Sequence, residues 1–329
     1  MSLRRLFDNP RVVRTGRVGV ALAGAATIMG FAGHLWWFFD LFSHFRPQYV
    51  AGGLVLALVL ARARTAGWAV AAFAIAAINT IPIVPLYLAP AEAAQAAPAR
   101  SLRLMSFNIF GFNHDHERVL NYLRRELPDV LVLLEVTPEW VPVVRELAAQ
   151  YPYQWINAGD DATGIAMMSR ERPSAAATLD LAQRGVPSYL LTFGDEGAAL
   201  SVLGTHLNWP LGPRASANRN RQLEGIAQLA RASTHPLVVM GDLNITPFSS
   251  HFTQTLREGG LQRCVPGVGL MPTWPARVLP FYIQIDHCLA SAGVLAWNFR
   301  TGEYLGSDHY PISVEVAVEA GMQNGEQRR

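Results

Sequence analysis

Three apolar stretches dominate the chain before Leu88: Val18–Phe39, Pro47–Ala61 and Ala66–Leu88. A helix rises about 1.5 Å per residue, so roughly 17–25 apolar residues cross a bilayer. The first and third stretches reach that length. The second has only fifteen residues between Arg46 and Arg62, and would need snorkelling arginines or local thinning to span. From Ser101 the pattern changes to short β-rich runs mixed with amphipathic segments. Leu102–Ile109 alternates and reads as a strand. Glu117–Glu126 has helical spacing and is stopped by Pro128. Val130–Leu134 is continuously apolar, as in a strand buried on both faces. Gly164–Ser169 reads as another strand, and Tyr189–Phe193 and Ala199–Leu207 flank a turn at Gly194–Gly197. Ala217–Ala232 predicts a helix; Leu237–Met240, Phe281–Leu289 and Ile312–Val318 predict strands.

The apolar N-terminal part reads as a membrane region, because a signal peptide is not followed by two more long apolar segments. Arg4, Arg5, Arg11, Arg14 and Arg17 precede the first stretch, and Arg62 and Arg64 lie between the second and third. By the positive-inside rule these are cytoplasmic. Three spans then make a multi-pass protein of a bacterial inner membrane, with everything after Leu88 on the periplasmic or extracellular side. If the second stretch does not span, two crossings return the domain to the cytoplasm. The expected organisation is a cytoplasmic segment (1–17), a membrane region (18–88), an Ala/Pro-rich linker (89–100), a catalytic domain (101–318) and a tail (319–329). Trp36, Trp37, Phe38 and Phe39 suit an interfacial aromatic belt.

Charge separates the two parts further. Only 16% of the 329 residues are charged, against about 25% in soluble domains. Before Arg100, eight arginines meet three acids (net +5); from Arg100 on, 19 arginines meet 22 acids (net −3). All 27 cations are arginine, which excludes a Schiff-base or P-loop lysine. Cys264 and Cys288 are too few for a disulfide framework or a cysteine zinc site; two independent buried thiols are the favoured reading over a single bond.

Polar residues recur where apolar strands end: Asn108, Glu135, His206, Asp242, Asn244, Asp286, Asp308 and His309. Strand ends hold side chains rigidly at one edge of a sheet. Any one of them has an ordinary explanation, Glu135 as a turn acid or His206 as a core histidine. Eight together do not. Carboxylates and an asparagine are hard oxygen ligands suited to Mg²⁺ or Mn²⁺. Two histidines near carboxylates suit proton transfer. Cleaving an anionic phosphoester needs charge neutralisation, an oriented water and a protonated leaving group, and this set offers all three. No Gly-x-Ser-x-Gly nucleophile motif is present.

These residues resemble the endonuclease/exonuclease/phosphatase superfamily, the fold of pancreatic deoxyribonuclease and of bacterial sphingomyelinases. The resemblance rests on Ser106-Phe107-Asn108, Leu134-Glu135, Gly164–Arg170, Thr205-His206-Leu207-Asn208, Gly241-Asp242-Leu243-Asn244, Thr273-Trp274, Ile285-Asp286-His287 and Ser307-Asp308-His309-Tyr310-Pro311, which occur in the family's order. It implies an α/β four-layer sandwich, two face-to-face sheets flanked by helices. It further implies that Asn108, Glu135 and Asp308 surround the metal and the scissile phosphate. Asp242 and Asn244 would position water or phosphate, His309 would be held by Asp286, and His206 would protonate the leaving oxygen. The glutamate that supports the corresponding histidine in deoxyribonuclease has no clear counterpart between Trp140 and Gly164, where Asp160 and Asp161 are loose candidates. His287 alternates with Asp286 on its strand and reads as structural.

Charge and the membrane tether bear on the substrate. A duplex nuclease carries a basic stripe, whereas this domain is net acidic and Arg214, Arg219 and Arg221 are its only tight cluster. Asn208, Trp209 and Arg219 are the candidate substrate-binding residues; Arg219 reads equally as a solvated helix residue. A membrane tether favours lipid-linked or small phosphoesters. A membrane-tethered nuclease acting on extracytoplasmic nucleic acid and a catalytically silent binding module are the alternatives. The expected partners are the phosphoester substrate and the lipid bilayer; no protein partner is expected.

Overall fold

The computed structural model describes residues 9–88, 101–160, 162–182, 185–195 and 198–319. The expected linker (89–100), most of the tail, Asp161 and part of the Gly194–Gly197 turn lie outside the described residues.

The N-terminal region contains three long helices, α1 (Pro10–Phe31), α2 (Arg46–Arg62) and α3 (Ala66–Thr80), with short helical turns between and after them. Asn9 caps α1, accepting from the Arg11 amide at 2.9 Å. At about 1.5 Å per residue, α1 is about 33 Å long, against about 25 Å for α2 and 22 Å for α3. Among the described residues, α1 is the one helix long and apolar enough to cross a membrane; a hydrocarbon core is about 30 Å thick. The expected three spans, and with them the multi-pass arrangement, are therefore not supported. The first apolar stretch breaks at Phe31, and the third ends as a helix at Thr80. Arg46 does not snorkel: it is buried, donates to Asn79 Oδ1 at 2.9 Å and lies over the Phe31 ring at 3.8 Å. Asn79 in turn donates to Thr27 Oγ1 at 2.9 Å. Polar groups thus tie the helices to one another, as buried polar groups must be satisfied.

The rest is two six-stranded sheets packed face to face. One has the order β11-β12-β1-β2-β4-β3, the other β5-β6-β7-β8-β10-β9. The strands are β1 (Leu102–Asn108), β2 (Val130–Leu134), β3 (Tyr153–Asn157), β4 (Ile165–Ser169), β5 (Ala175–Leu179), β6 (Ser188–Phe193), β7 (Leu200–Gly204), β8 (Leu237–Asp242), β9 (Leu261–Arg263), β10 (Asp286–Ser291), β11 (Val294–Thr301) and β12 (Ile312–Val318). Leu104, Val132 and Met167 of the first sheet meet Leu191, Val202 and Met240 of the second in one core. Helices α4 (His116–Glu126) and α5 (Trp140–Arg145) cover the outside of the first sheet through Val119, Leu123 and Trp140. Helices α6 (Pro213–Ala232) and α7 (Ser250–Gly259) cover the second through Leu223, Ile226 and Phe252. The expected four-layer α/β sandwich is what forms.

Val130–Leu134 is buried throughout, as its continuous apolar run requires. Each such side chain contributes about 1.5–3 kcal/mol. The expected Phe281–Leu289 strand begins instead at Asp286. Pro280, without an N–H, sits in a 3₁₀ turn at Leu279–Phe281. The cysteines also differ from expectation: Cys264 and Cys288 form a disulfide, Cα atoms 5.3 Å apart. Pairing brings them together, since the Cys264 amide donates to the Cys288 carbonyl at 2.9 Å.

The helical region is docked on the sandwich. His44 Nδ1 meets Thr246 Oγ1 at 2.9 Å, Gln48 donates to the Tyr282 carbonyl at 3.0 Å, and the Gly269 amide donates to the Leu86 carbonyl at 2.8 Å.

Candidate active site

The two central strands of the sheets carry the site. β1 ends in Asn108 and its parallel neighbour β2 runs into Glu135; β8 ends in Asp242, directly opposite Asp286 on antiparallel β10. Register alone therefore sets the two aspartates side by side. Gly241 precedes Asp242 with φ +150°, and a Cβ there would lie 1.8 Å from the Thr205 carbonyl oxygen. Only glycine allows that approach. Asn244 has φ +50° and its amide donates to Asp242 Oδ1 at 2.8 Å, the local bond that lets asparagine hold a left-handed turn.

Asn108 is the hub. Its Nδ2 donates to Glu135 Oε1 at 2.9 Å, reaches Asp242 Oδ2 at 3.3 Å, and lies 3.4 Å from His309 Nε2. Glu135 Oε2 accepts the Gly111 amide at 3.2 Å. Asp308 accepts from the Trp274 indole at 2.9 Å through Oδ2, and its Oδ1 is buried without a hydrogen-bond partner among the described residues. Ser307 Oγ donates to the Asn108 carbonyl at 2.7 Å and accepts the His309 amide at 2.9 Å, tying the last loop to β1.

His309 Nδ1 donates to Asp286 Oδ2 at 2.8 Å. His309 Nε2 and His206 Nε2 lie 3.7 Å and 3.5 Å from Asp242 Oδ2. Burial opposes charge on His309, but the Asp286 and Asp242 carboxylates overcome it and push its pKa up to about 10. His206 is raised in the same way: burial works against it, and the bond and charge of Asp242 prevail. Asp242 is correspondingly lowered, the two histidines outweighing the cost of its burial. His287 goes the other way. Burial pulls it down to about 4, and its Nε2 donates to the Ile245 carbonyl at 2.7 Å. It points away from the site, on the far side of β10 beside the Phe252 ring.

The structure thus brings Asn108, Glu135, His206, Asp242, Asn244, Asp286, Asp308 and His309 together. The Asn208 amide donates to Gln222 Oε1 at 2.8 Å, and its Oδ1 is buried without a partner among the described residues. Trp209 is 64% exposed. Arg219 is a correction: it is neither a solvated residue nor free to meet a substrate. It is 1% exposed and its Nη2 donates to Asp40 Oδ2 at 2.8 Å. Asp40 escaped the sequence reading, although a lone acid in an apolar stretch is a signal for a buried partner. Trp274 holds a carboxylate through its indole N–H. Asp160 is exposed and Asp161 lies outside the described residues; the acids acting on His206 are Asp242 and Glu135.

Four carboxyl groups face two imidazoles in this pocket, a poor balance for an anionic substrate. The oxygen-rich donor set and the unpartnered Asp308 Oδ1 fit a divalent cation. Asp242, Asp286 and His309 also lie within ligand distance of one another, with His309 Nδ1 and Asp286 Oδ2 already bound to each other at 2.8 Å.

The chain matches the Endonuclease/Exonuclease/phosphatase family over residues 105–309. It belongs to that family. No curated protein matches the chain. Among solved structures it is similar to the endonuclease/exonuclease/phosphatase from Bacteroides vulgatus, at 18% identity and TM-score 0.57, over 67% of this chain and 100% of that one. D. rerio TDP2 complexed with single strand DNA product is similar at 18% identity and TM-score 0.56, over 66% and 99%. Sphingomyelinase C from Streptomyces griseocarneus is similar at 18% identity and TM-score 0.50, over 66% and 99%. These likenesses show the shared sandwich. Family membership makes the chain a metal-dependent phosphoester hydrolase.

Proposed function

We propose that this family member is a membrane-held, Mg²⁺- or Mn²⁺-dependent hydrolase of lipid-linked or small phosphoesters. The observation that carries the proposal is the docking of the helical region on the loops that carry the site. Exposed apolar side chains on α1–α3, such as Leu22, Ile28, Val55, Leu58, Val70 and Phe73, form a surface suited to lipid, and the same unit holds Thr246 and Tyr282. Trp209, Leu211, Leu279 and Phe281 on the sandwich loops are also exposed. A crossing by α1 that keeps its arginine-bearing end toward the cytoplasm, with the Arg11, Arg14 and Arg17 stems snorkelling, leaves the sandwich outside it. The disulfide supports that side. Burial of Arg219 takes the middle residue out of the Arg214–Arg221 cluster, which weighs against a duplex substrate.

In this mechanism a cation held by Glu135, Asn108 and Asp308 would neutralise phosphate charge. His309, kept protonated by Asp286, faces the developing negative charge. Asp242, kept ionised between two imidazoles, takes a proton from the attacking water as its oxygen bonds to phosphorus. His206, its pKa raised by the bond and charge of Asp242, gives its proton to the leaving oxygen as the ester P–O bond breaks. Asn244 and Asn208 orient the phosphate.

The test compares Mg²⁺-dependent release of head group or phosphate from liposomes with nicking of plasmid DNA by the full chain in detergent. Liposome turnover without nicking is expected. Nicking without liposome turnover would overturn the substrate class, and loss of neither activity in His309→Ala would overturn the site.

A further inference from the structure

Arg219 joins two residues far apart in the chain. Its Nη2 donates to Asp40 Oδ2 at 2.8 Å, and its Nη1 donates to the Asn244 carbonyl at 3.1 Å. Its Nε donates to Asn220 Oδ1 at 2.9 Å, so the guanidinium is held on three sides. Asp40 is equally held. Ser249 Oγ donates to its Oδ1 at 2.7 Å, and Ser43 Oγ donates to its carbonyl at 2.7 Å. Asp40 and Arg219 are 2% and 1% exposed.

The far end of this chain of bonds is a residue under conformational strain. Asn244 is left-handed, a region that costs a non-glycine residue about 1 kcal/mol or more. Its side chain is aimed by the same turn: Nδ2 donates to the Leu207 carbonyl at 2.8 Å and lies 3.4 Å from His206 Nε2. Two residues on, Thr246 is met by His44 from the same N-terminal segment. The Asn244–Thr246 turn is therefore clamped at both ends by the segment after α1, once through Arg219 and once directly.

We propose that Asp40 is a positioning residue of the hydrolase site, acting through Arg219 on Asn244, so that the segment between α1 and α2 is a working part of the active site. The proposal rests on the site assignment above. A buried ion pair is weak evidence for a stability role, since its desolvation cost offsets its attraction. A fixed carboxylate is well suited to hold a guanidinium in one orientation, and small misplacements of site residues cost about 10- to 100-fold in rate.

The full chain in detergent is assayed with an aryl phosphodiester and Mg²⁺, with thermal melting on each variant. Asp40→Asn should lower kcat about 10-fold or more per folded molecule, with KM little changed. In the Asn244→Ala background the same change should add almost nothing, because the group it positions is gone. Ser249→Ala, which loosens Asp40 without leaving a charge unpaired, should lower kcat by a smaller factor and covers the case in which Asp40→Asn does not fold. Wild-type kcat in folded Asp40→Asn, or in Ser249→Ala if Asp40→Asn is unfolded, overturns the proposal. So do losses that multiply fully with Asn244→Ala. An inactive His309→Ala beside a fully active Asp40→Asn leaves the site standing and removes the coupling alone; an active His309→Ala removes both.

Discussion

His309 donates from Nδ1 to Asp286 at 2.8 Å, and its Nε2 faces Asp242 at 3.7 Å. One imidazole thus lies between two buried carboxylates, which is why its pKa is pushed up to about 10 against the cost of burial. Asp286→Asn keeps the shape and removes that support. Turnover should fall by about 10²–10⁴, and the loss should be larger at pH 9 than at pH 6, because His309 then sheds its proton sooner. A pH–rate profile parallel to wild type would refute the assigned role.

Trp274 reaches the site through Asp308, by its indole N–H at 2.9 Å. Trp274→Phe keeps the ring bulk and removes the donor. The Mg²⁺ concentration for half-maximal activity should rise about 10- to 100-fold, as for other residues that orient a ligand, while kcat at saturating metal changes less. Metal titration by activity and by calorimetry checks this, and unchanged affinity would move Asp308 out of the cradle.

His287 is buried neutral, with a pKa near 4 in the fold against about 6.5 unfolded. The unfolded chain therefore binds the proton first as pH falls. The stability this histidine contributes is full above about pH 6.5 and is lost as pH falls toward 4, on the order of 3 kcal/mol. His287→Gln keeps a donor for the Ile245 carbonyl and removes the titration. Its stability should vary less than wild type between pH 6.5 and 4 in chemical denaturation; an identical slope would contradict the neutral state.

The Cys264–Cys288 disulfide joins positions 24 apart in sequence. Closing a loop of that size stabilises by about 3 kcal/mol in the chain-entropy account. Cys264→Ser/Cys288→Ser should lower the melting temperature by roughly 6–12 °C, and reductant should do the same to wild type but not to the double variant. Melting curves with and without reductant decide it.

Much of the sandwich is legible because its signals are local. Val130–Leu134 reads as a doubly covered strand from composition alone, and Ile312–Val318 from its alternation. β3 and β5 carry weaker signals: Tyr153–Asn157 is a half-buried edge strand and Ala175–Leu179 a mostly exposed one, so little selects their residues. The site was legible for a similar reason. Asn108, Glu135 and Asp242 each end or follow an apolar run, and His309 lies in the loop just before β12; rigid strand ends are where such groups gather. Arg219 was misread because helical spacing places it on a face without saying what covers that face.

The sequence by itself determined the apolar helices, most of the central strands and the order of polar residues near their ends, since each depends on neighbours a few positions away. Only the tertiary structure decided that one helix rather than three is long enough to cross a membrane, that the cysteines pair, and that Asp40 reaches Arg219 across 179 positions. Those outcomes depend on which backbones are brought within a few ångströms by packing. No residue spacing along the chain encodes that.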